Sequence, residues 1–124
     1  MSSRTILLAE DDRFLRRAME VALTKRGYRV LLAADGQQAI DLLATETPDL
    51  VLLDLLMPRK TGIEVLQELR ANPKTADLRV LILSNSSKEL EIHEATSLGV
   101  SGYWIKANLS LQELSERIEA VLTA

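Results

Sequence analysis

The stretch PDLVLLDLLMP, residues 48–58, places a single aspartate inside an apolar run. Six of the seven residues from Leu50 to Leu56 are apolar, and the seventh is Asp54. A short, continuous apolar run that is bounded by turn-forming residues is typical of a strand covered on both faces of a sheet. Because burying an unpaired carboxylate is costly, Asp54 requires a partner of opposite charge.

Short apolar runs alternate with longer amphipathic segments along the whole chain. We interpret as strands the runs TILLA (5–9), RVLLA (29–33), LVLLD (50–54), RVLIL (79–83) and GYWI (102–105). A helical pattern follows each run, and the first spans residues 13–26 and stops at Gly27, a residue type common directly after a helix. Five successive βα units predict an α/β fold, with a five-stranded parallel sheet and five helices on its two faces. We expect one domain that fills residues 1–124.

The later helices begin with recognisable signals. The second begins at DGQQ (35–38), and the next three begin at TGIE (61–64), SSKE (86–89) and SLQE (110–113). The last three combine Ser or Thr with Glu three residues later, which predicts a capping box at each start. The fourth helix carries few apolar residues, so we expect it to be the least stable element.

The composition excludes several classes of protein. The 124 residues carry a formal net charge of −3, which argues against direct nucleic-acid binding. They include no cysteine, which excludes disulfides and cysteine-ligated zinc. No apolar run approaches the roughly 20 residues of a membrane helix, and the start MSSRT lacks the apolar core of a signal peptide. We therefore expect a cytoplasmic protein without membrane contacts.

Chemically capable side chains follow four of the five predicted strands. Glu10 and Asp11 follow the first, Asp54 ends the third, Ser84 follows the fourth and Lys106 follows the fifth. The carboxyl ends of parallel strands share one edge, where ligands bind. Three crowded carboxylates need a counter-charge, which Mg²⁺ with its oxygen ligands supplies. Lys106 suits a phosphoryl oxygen, and Asp54 is able to act as a nucleophile that forms an acyl phosphate. We therefore expect a metal ion and Lys106 to pair with Asp54.

Other polar residues have a structural interpretation. Acidic residues after strands are frequently helix N-caps, which we predict for Asp12 directly before the first helix. His93 has no cysteine or second histidine with which to form a metal site, so we interpret it as a surface residue of the fourth helix. Each polar residue that follows a predicted strand has a structural interpretation of this kind when it is considered alone. Only the convergence of these residues on one edge of the sheet favours a chemical role.

Four segments together resemble the receiver domain of bacterial two-component response regulators. They are ILLAEDD (6–12), PDLVLLDLLMP (48–58) followed by Gly62, LILS (81–84) and GYWIK (102–106), in the order and at the spacing of that family. The resemblance covers essentially the whole chain and implies a flavodoxin-like sheet in the order 2-1-3-4-5. It also implies a phosphoacceptor signalling switch in a two-component phosphorelay.

The resemblance implies a role for each of seven site residues. These roles are Asp54 as the phosphoacceptor and a metal ligand, Asp11 as a direct Mg²⁺ ligand, Glu10 as a ligand through water, Leu56 as a ligand through its backbone carbonyl, Ser84 as the switch hydroxyl, Tyr103 as the switch aromatic and Lys106 as the phosphate-binding lysine. A histidine kinase or a histidine phosphotransfer protein would donate the phosphoryl group. The face formed by helix four, strand five and helix five would then change and control a downstream effector protein or domain. Such a protein catalyses only its own phosphorylation and dephosphorylation and is not otherwise an enzyme.

The sequence departs from the family pattern at three positions. Asn85 follows the switch hydroxyl where a small residue is usual, so we expect it to obstruct the site. Leu56 stands where residues that handle water are common, which predicts slow hydrolysis. Ala107 replaces the usual proline after Lys106. Because a cis bond before a residue other than proline costs about 2.5–4 kcal/mol, we expect a trans Lys106–Ala107 bond.

Two other functions remain open from the sequence. One is an interaction module that works without phosphorylation, which Asn85 makes worth considering. The other is a small Mg²⁺ phosphohydrolase with an aspartyl-phosphate intermediate, although no second acid or base is evident near Asp54. The chain ends at Ala124 without an effector domain, which is compatible with a stand-alone regulator and with a fragment of a longer protein.

Overall fold

The computed structural model describes residues 4–86 and 88–123 as strands that alternate with helices. The strands in these ranges are β1 (Thr5–Ala9), β2 (Arg29–Ala33), β3 (Leu50–Leu53), β4 (Val80–Ser84) and β5 (Gly102–Ile105). The α-helices are α1 (Arg13–Lys25), α2 (Gly36–Leu43), α3 (Gly62–Ala71), α4 (Glu89–Ser97) and α5 (Leu111–Thr123). A 3₁₀ turn, Lys106–Asn108, separates β5 from α5. Within the described ranges, no helix has the length and apolar character needed to span a membrane.

The strands form one parallel sheet in the order β2-β1-β3-β4-β5, which confirms the predicted flavodoxin-like order. The chain passes from β1 to one side to form β2 and then crosses to the other side to form β3. A ligand site is expected at the carboxyl ends of the strands beside such a reversal. Ala9 pairs with Leu53 in the last row of the β1–β3 ladder, so Glu10 and Asp54 leave the sheet side by side.

The central strand β3 is apolar throughout because both faces of the sheet are covered. Val51 and Leu53 belong to the core cluster formed with α2, α3 and α4. Leu50 and Leu52 belong to the opposite cluster, formed with α1 and α5. Each of these side chains is fully buried, and such burial contributes about 1.5–3 kcal/mol per large apolar side chain. A strand covered on both faces therefore has no polar side, as the apolar run predicts.

The bounds of two strands differ from the predicted bounds by single residues. The third strand ends at Leu53, so Asp54 lies directly after the strand and not within it. The fourth strand begins at Val80 and includes Ser84, because Ser84 pairs with Ile105 and extends the ladder by one row. Ser84 is thereby held by the backbone of the sheet and not by a loop.

The first helix has the predicted signals at both ends. Asp12 is the N-cap, and its carboxylate accepts hydrogen bonds from the N–H groups of Phe14 and Leu15 at 2.9 and 3.1 Å. The helix ends at Lys25, one residue earlier than predicted. Gly27 follows with a φ of 92°, a left-handed conformation that favours glycine.

Capping boxes form at two of the three predicted helix starts. In α3, the Thr61 hydroxyl accepts from the Glu64 N–H, and the Glu64 carboxylate accepts from the Thr61 N–H. Ser110 and Glu113 make the same reciprocal pair at the start of α5. The prediction for α4 is wrong, because Lys88 is its N-cap and makes no side-chain capping hydrogen bond.

Helix α4 is weakly anchored in the core. Ser86 does not cap it, because the Ser86 hydroxyl donates to the Glu91 carboxylate instead. Ala95 is the buried residue of α4, whereas Leu90 is 77% exposed and His93 is exposed as predicted. Helix α5, in contrast, buries three large apolar side chains. Since each contributes about 1.5–3 kcal/mol, α4 is held by much less apolar burial than α5.

Candidate metal site

Three carboxylates gather at the carboxyl edge of the sheet, beside the reversal between β1 and β3. One ligand atom from each of Glu10, Asp11 and Asp54 lies within 4.8 Å of the others. Glu10 and Asp54 are 1% and 5% exposed, whereas Asp11 is open to solvent. An all-oxygen group of this kind suits a hard divalent cation such as Mg²⁺.

Lys106 supplies the counter-charge that buried Asp54 requires. Its Nζ lies 2.9 Å from Asp54 Oδ2 and 2.5 Å from Glu10 Oε1, and its side chain is only 14% exposed. Lys106 follows β5, so its side chain reaches past β4 to the ends of β3 and β1. Burial opposes the charge on the lysine, but the hydrogen bonds to the two carboxylates and their negative charges together outweigh burial and raise the pKa of Lys106. The lysine is therefore charged at neutral pH.

Glu10 is the most enclosed of the three acids. Its Oε1 faces Lys106, and its Oε2 accepts a hydrogen bond from the Asp12 N–H at 3.1 Å. The pKa of Glu10 is raised to about 7, chiefly by burial and further by the charge of Asp54, although Lys106 and the Asp12 N–H lower it in part. Both carboxylate oxygens of Glu10 are thus engaged within the protein, which leaves Asp11 and Asp54 as the more accessible ligands.

Arg16 is a site residue that the sequence interpretation missed. Its Nη1 donates to the backbone carbonyl of Glu10 at 2.8 Å and lies 3.4 Å from that of Asp11. The guanidinium therefore holds the backbone that carries the acidic pair. No local pattern distinguishes Arg16 from its neighbours Arg13 and Arg17, so only the path of the chain after β1 identifies it.

Ser86 connects the predicted switch residues to α4. Ser84 is fully buried, and its Oγ accepts a hydrogen bond from the Ser86 N–H at 3.2 Å. Tyr103 is partly buried, and its hydroxyl donates to the Ser86 carbonyl at 2.8 Å. The Ser86 hydroxyl also bonds to Glu91 of α4. The segment after β4 therefore contacts Ser84, Tyr103 and α4 at once.

Two of the three departures from the family pattern contact each other. Asn85 is exposed, and its Oδ1 accepts a hydrogen bond from the Ala107 N–H at 3.2 Å. No peptide bond in residues 4–86 and 88–123 is cis, which confirms the trans bond predicted between Lys106 and Ala107. Leu56, the third departure, is 61% exposed, and its N–H donates to Asp54 Oδ1 at 3.3 Å.

Comparison with known proteins agrees with the observed fold. A sequence model of the response regulator receiver domain matches residues 6–119. The chain belongs to this family. The receiver domain is 38% identical over 117 residues to the response regulator MprA of Mycolicibacterium vanbaalenii, which covers 94% of this chain and 49% of that protein. The chain spans about half the length of the curated relatives it matches.

Two solved structures resemble the receiver domain over nearly its whole length. The phosphorylated cyanobacterial phytochrome response regulator RcpA is 30% identical, with a TM-score of 0.84 and coverage of 97% of this chain and 91% of that chain. The Mn²⁺-bound form of the response regulator Rcp1 is 28% identical, with a TM-score of 0.81 and coverage of 95% and 91%. The protein is thus a receiver domain of response regulators in two-component systems, a class of signalling switch.

Gly62 lets the start of α3 approach the Asp54 backbone of the receiver domain. Its N–H donates to the Leu55 carbonyl at 2.9 Å. A Cβ at position 62 would overlap the Asp54 carbonyl oxygen and lie 2.7 Å from the Leu55 Cα. We expect Gly62→Ala to lower the free energy of unfolding by about 1–3 kcal/mol, the usual cost of forcing atoms into a packed region. Urea denaturation measures this change.

A matched glycine separates steric overlap from backbone strain. A Cβ at Gly27 would meet no atom within 4 Å, so Gly27→Ala adds only the strain of a positive φ, about 1 kcal/mol. We expect Gly62→Ala to be the more destabilising variant. A larger loss for Gly27→Ala would show that the backbone around Asp54 yields to the added methyl group.

Proposed function

We propose that this receiver domain is a Mg²⁺-dependent phosphoacceptor switch, in which Asp54 accepts a phosphoryl group from the phosphohistidine of a histidine kinase or histidine phosphotransfer protein. The observation that carries the proposal is the buried Asp54 carboxylate, which accepts a hydrogen bond from Lys106 and has an oxygen within 4.8 Å of carboxylate oxygens of Glu10 and Asp11. Phosphoryl transfer requires positioning and charge neutralisation more than covalent help from the protein. This arrangement supplies both.

The transfer breaks the N–P bond of the donor and forms an O–P bond at Asp54. The electron pair of the broken bond stays on the imidazole nitrogen, which takes a proton from solvent. Lys106, which binds Asp54 in the free protein, then donates to a phosphoryl oxygen of the acyl phosphate. The hydroxyl of Ser84 donates to a second phosphoryl oxygen.

The group of carboxylates at this site fits Mg²⁺. We assign Asp11, Asp54 and the backbone carbonyl of Leu56 as direct ligands, and Glu10 as a ligand through water. The engagement of both Glu10 oxygens within the protein supports the indirect contact. When bound, the metal supplies positive charge for the phosphoryl oxygens. Rcp1 has a Mn²⁺-bound form and RcpA has a phosphorylated form, and these two structural relatives support metal binding and phosphorylation for this chain.

Asp11→Asn is expected to weaken Mg²⁺ binding by about 10- to 100-fold, because losing a direct ligand costs at least as much as losing its supporting partners. Isothermal titration calorimetry measures the dissociation constant. Asp12→Asn is the matched control, because asparagine caps a helix as well as aspartate does and Asp12 is outside the carboxylate group. An equal loss of affinity in both variants would contradict the assignment of Asp11.

A small phosphodonor tests the function directly. Incubation with acetyl phosphate and Mg²⁺ should add one phosphoryl group to the intact chain, as measured by mass spectrometry, and hydroxylamine should remove it, as expected of an acyl phosphate. Absence of an adduct would favour an interaction module that works without phosphorylation. Rapid release of phosphate without an adduct would favour a phosphohydrolase.

We further propose that phosphorylation acts through the Ser86 contacts. A phosphoryl group at Asp54 draws the Ser84 hydroxyl towards it, because a hydrogen bond to a charged acceptor is stronger than one to a neutral acceptor. Ser84 then loses the hydrogen bond from the Ser86 N–H, and the contacts of Ser86 with Tyr103 and Glu91 are disturbed. The weakly anchored α4 shifts with them, as a bias between two states and not as a new fold.

Hydrogen exchange in residues 84–106 is expected to change when a phosphoryl mimic such as beryllofluoride binds with Mg²⁺. Mass-spectrometric exchange resolves this range from α2, where we expect no change. The same mimic added to Asp54→Asn serves as the control. Identical exchange in residues 84–106 with and without the mimic would contradict the proposed route.

The surface that changes on phosphorylation is the surface that a downstream partner would recognise. We propose that α4, β5 and α5 present this surface to a downstream effector protein or domain, and that residues 1–124 act as one receiver domain. Both core clusters pack on the same sheet, which supports one domain. The chemistry is limited to phosphorylation and dephosphorylation of Asp54, without turnover of an outside metabolite.

A further inference from the structure

A side-chain hydrogen bond joins the two loops that follow Ser84 and Lys106. The ladder between β4 and β5 ends at the pair Ser84–Ile105. Beyond this pair, Asn85 Oδ1 accepts a hydrogen bond from the Ala107 N–H at 3.2 Å. The side chain of Asn85 thus continues the contact between the two chain segments after their backbones have stopped pairing.

This hydrogen bond acts on the peptide group directly after Lys106. The Ala107 N–H and the Lys106 carbonyl lie in one rigid peptide plane. The Lys106 carbonyl accepts from the Leu109 N–H at 3.2 Å, so both polar groups of the plane are held. This restricts the backbone of Lys106 and hence the direction from which its Nζ reaches Glu10 and Asp54.

The same hydrogen bond gives Asn85 an alternative role to obstruction of the site. The side chain is exposed, and its amide oxygen is engaged at Ala107. An obstructing residue would instead slow the approach of the phosphodonor to Asp54. The two interpretations predict opposite effects when the amide is removed.

We propose that Asn85 is a positioning residue, which acts through the Lys106–Ala107 peptide to aim Lys106 at the phosphoryl group on Asp54. The inference rests on the proposed function of Asp54. Asn85 is the neighbour of Ser84 in the chain, so one hydrogen bond couples the two residues that donate to the phosphoryl oxygens. Ala107 is the necessary donor, because a proline at this position would have no N–H.

The rate of phosphorylation by acetyl phosphate with Mg²⁺ distinguishes the two roles of Asn85. Asn85→Ala is expected to lower the maximal rate by about 2- to 10-fold, the range of one net hydrogen bond, without raising the KM for the donor. Relief of an obstruction would make this variant faster. Asn108→Ala is the matched control, because Asn108 is an exposed amide in the same 3₁₀ turn.

Removal of the Ala107 N–H should abolish the effect of Asn85 on the rate of phosphorylation. In a chain that carries Ala107→Pro, Asn85→Ala should have no further effect on the rate. Because proline restricts the residue before it, the 3₁₀ turn at Lys106 is at risk in that variant. A chain in which an ester replaces the Lys106–Ala107 amide removes the N–H and keeps the turn. The proposal is overturned if Asn85→Ala slows phosphorylation equally with and without the Ala107 N–H. It is also overturned if Asn85→Ala leaves the rate of the otherwise wild-type chain unchanged or makes it faster.

Two measurements on the unphosphorylated protein separate this proposal from the proposed function. Amide exchange at Ala107 should be about 2- to 10-fold faster in Asn85→Ala, and the NMR signal of Lys106 Nζ should shift. Asn85→Asp keeps an acceptor oxygen and should retain the protection of Ala107. If the wild-type chain takes up no phosphoryl group, the proposed function fails and these readouts still decide the role of Asn85. Unchanged amide exchange at Ala107 in Asn85→Ala would overturn the positioning role of Asn85.

Discussion

Asp54→Asn is expected to abolish Mg²⁺-dependent phosphorylation of the chain while leaving it folded. The amide cannot act as the nucleophile, but it keeps the shape of the side chain and an oxygen that accepts from Lys106. Intact-mass measurement after incubation with acetyl phosphate gives the fraction phosphorylated, and circular dichroism reports the fold. We expect the fraction phosphorylated to fall to the background of the assay.

A second aspartate provides the control for this loss. Asp41→Asn changes an exposed carboxylate on α2, which bonds to Gln37 and lies outside the carboxylate group. Its phosphorylation should equal that of the wild-type chain. Full labelling of Asp54→Asn, with the phosphoryl group mapped to another residue, would refute the assignment of Asp54.

Lys106→Met is expected to lower the free energy of unfolding by about 3 kcal/mol in metal-free buffer. Removing one member of a buried ion pair leaves the other charge without compensation. Here buried Asp54 loses its counter-charge, and buried Glu10, whose pKa is already raised to about 7, loses a partner that lowers this pKa and becomes neutral. We use the lower end of the usual range because the lysine side chain is 14% exposed. Added Mg²⁺ should recover part of the loss, since a bound cation replaces the missing charge.

A surface ion pair gives the matched comparison. Lys60 lies 2.5 Å from Glu68, but the two side chains are 26% and 46% exposed. Solvent screens such pairs, so Lys60→Met should cost only about 0–1 kcal/mol and should not respond to Mg²⁺. Urea denaturation with EDTA and with Mg²⁺ measures both variants. Equal losses for the two lysines would show that Asp54 is neutral or solvated when Lys106 is absent.

The sequence by itself determined the elements of the fold and the types of residue in the candidate site. The cap at Asp12, the stop at Gly27 and the capping box at Thr61 each involve residues only a few positions apart, so their signals are local. The apolar run before Asp54 likewise predicts a strand with two covered faces. The order of the sheet came from the family resemblance, because periodicity alone does not choose among parallel arrangements.

Only the tertiary structure decided which hydrogen bonds form among the polar groups that converge on the sheet edge. The sequence predicted that a metal ion and Lys106 pair with Asp54, but the second contact of Lys106, with Glu10, depends on the paths of three strands. Lys106 and Asp54 are 52 positions apart, and Asn85 and Ala107 are 22 apart. Hydrogen bonds form only within about 3 Å, so shifts of a single residue in strand register or loop path make or break them. Such distances are set by the packing of the whole sheet, and no local sequence pattern encodes them.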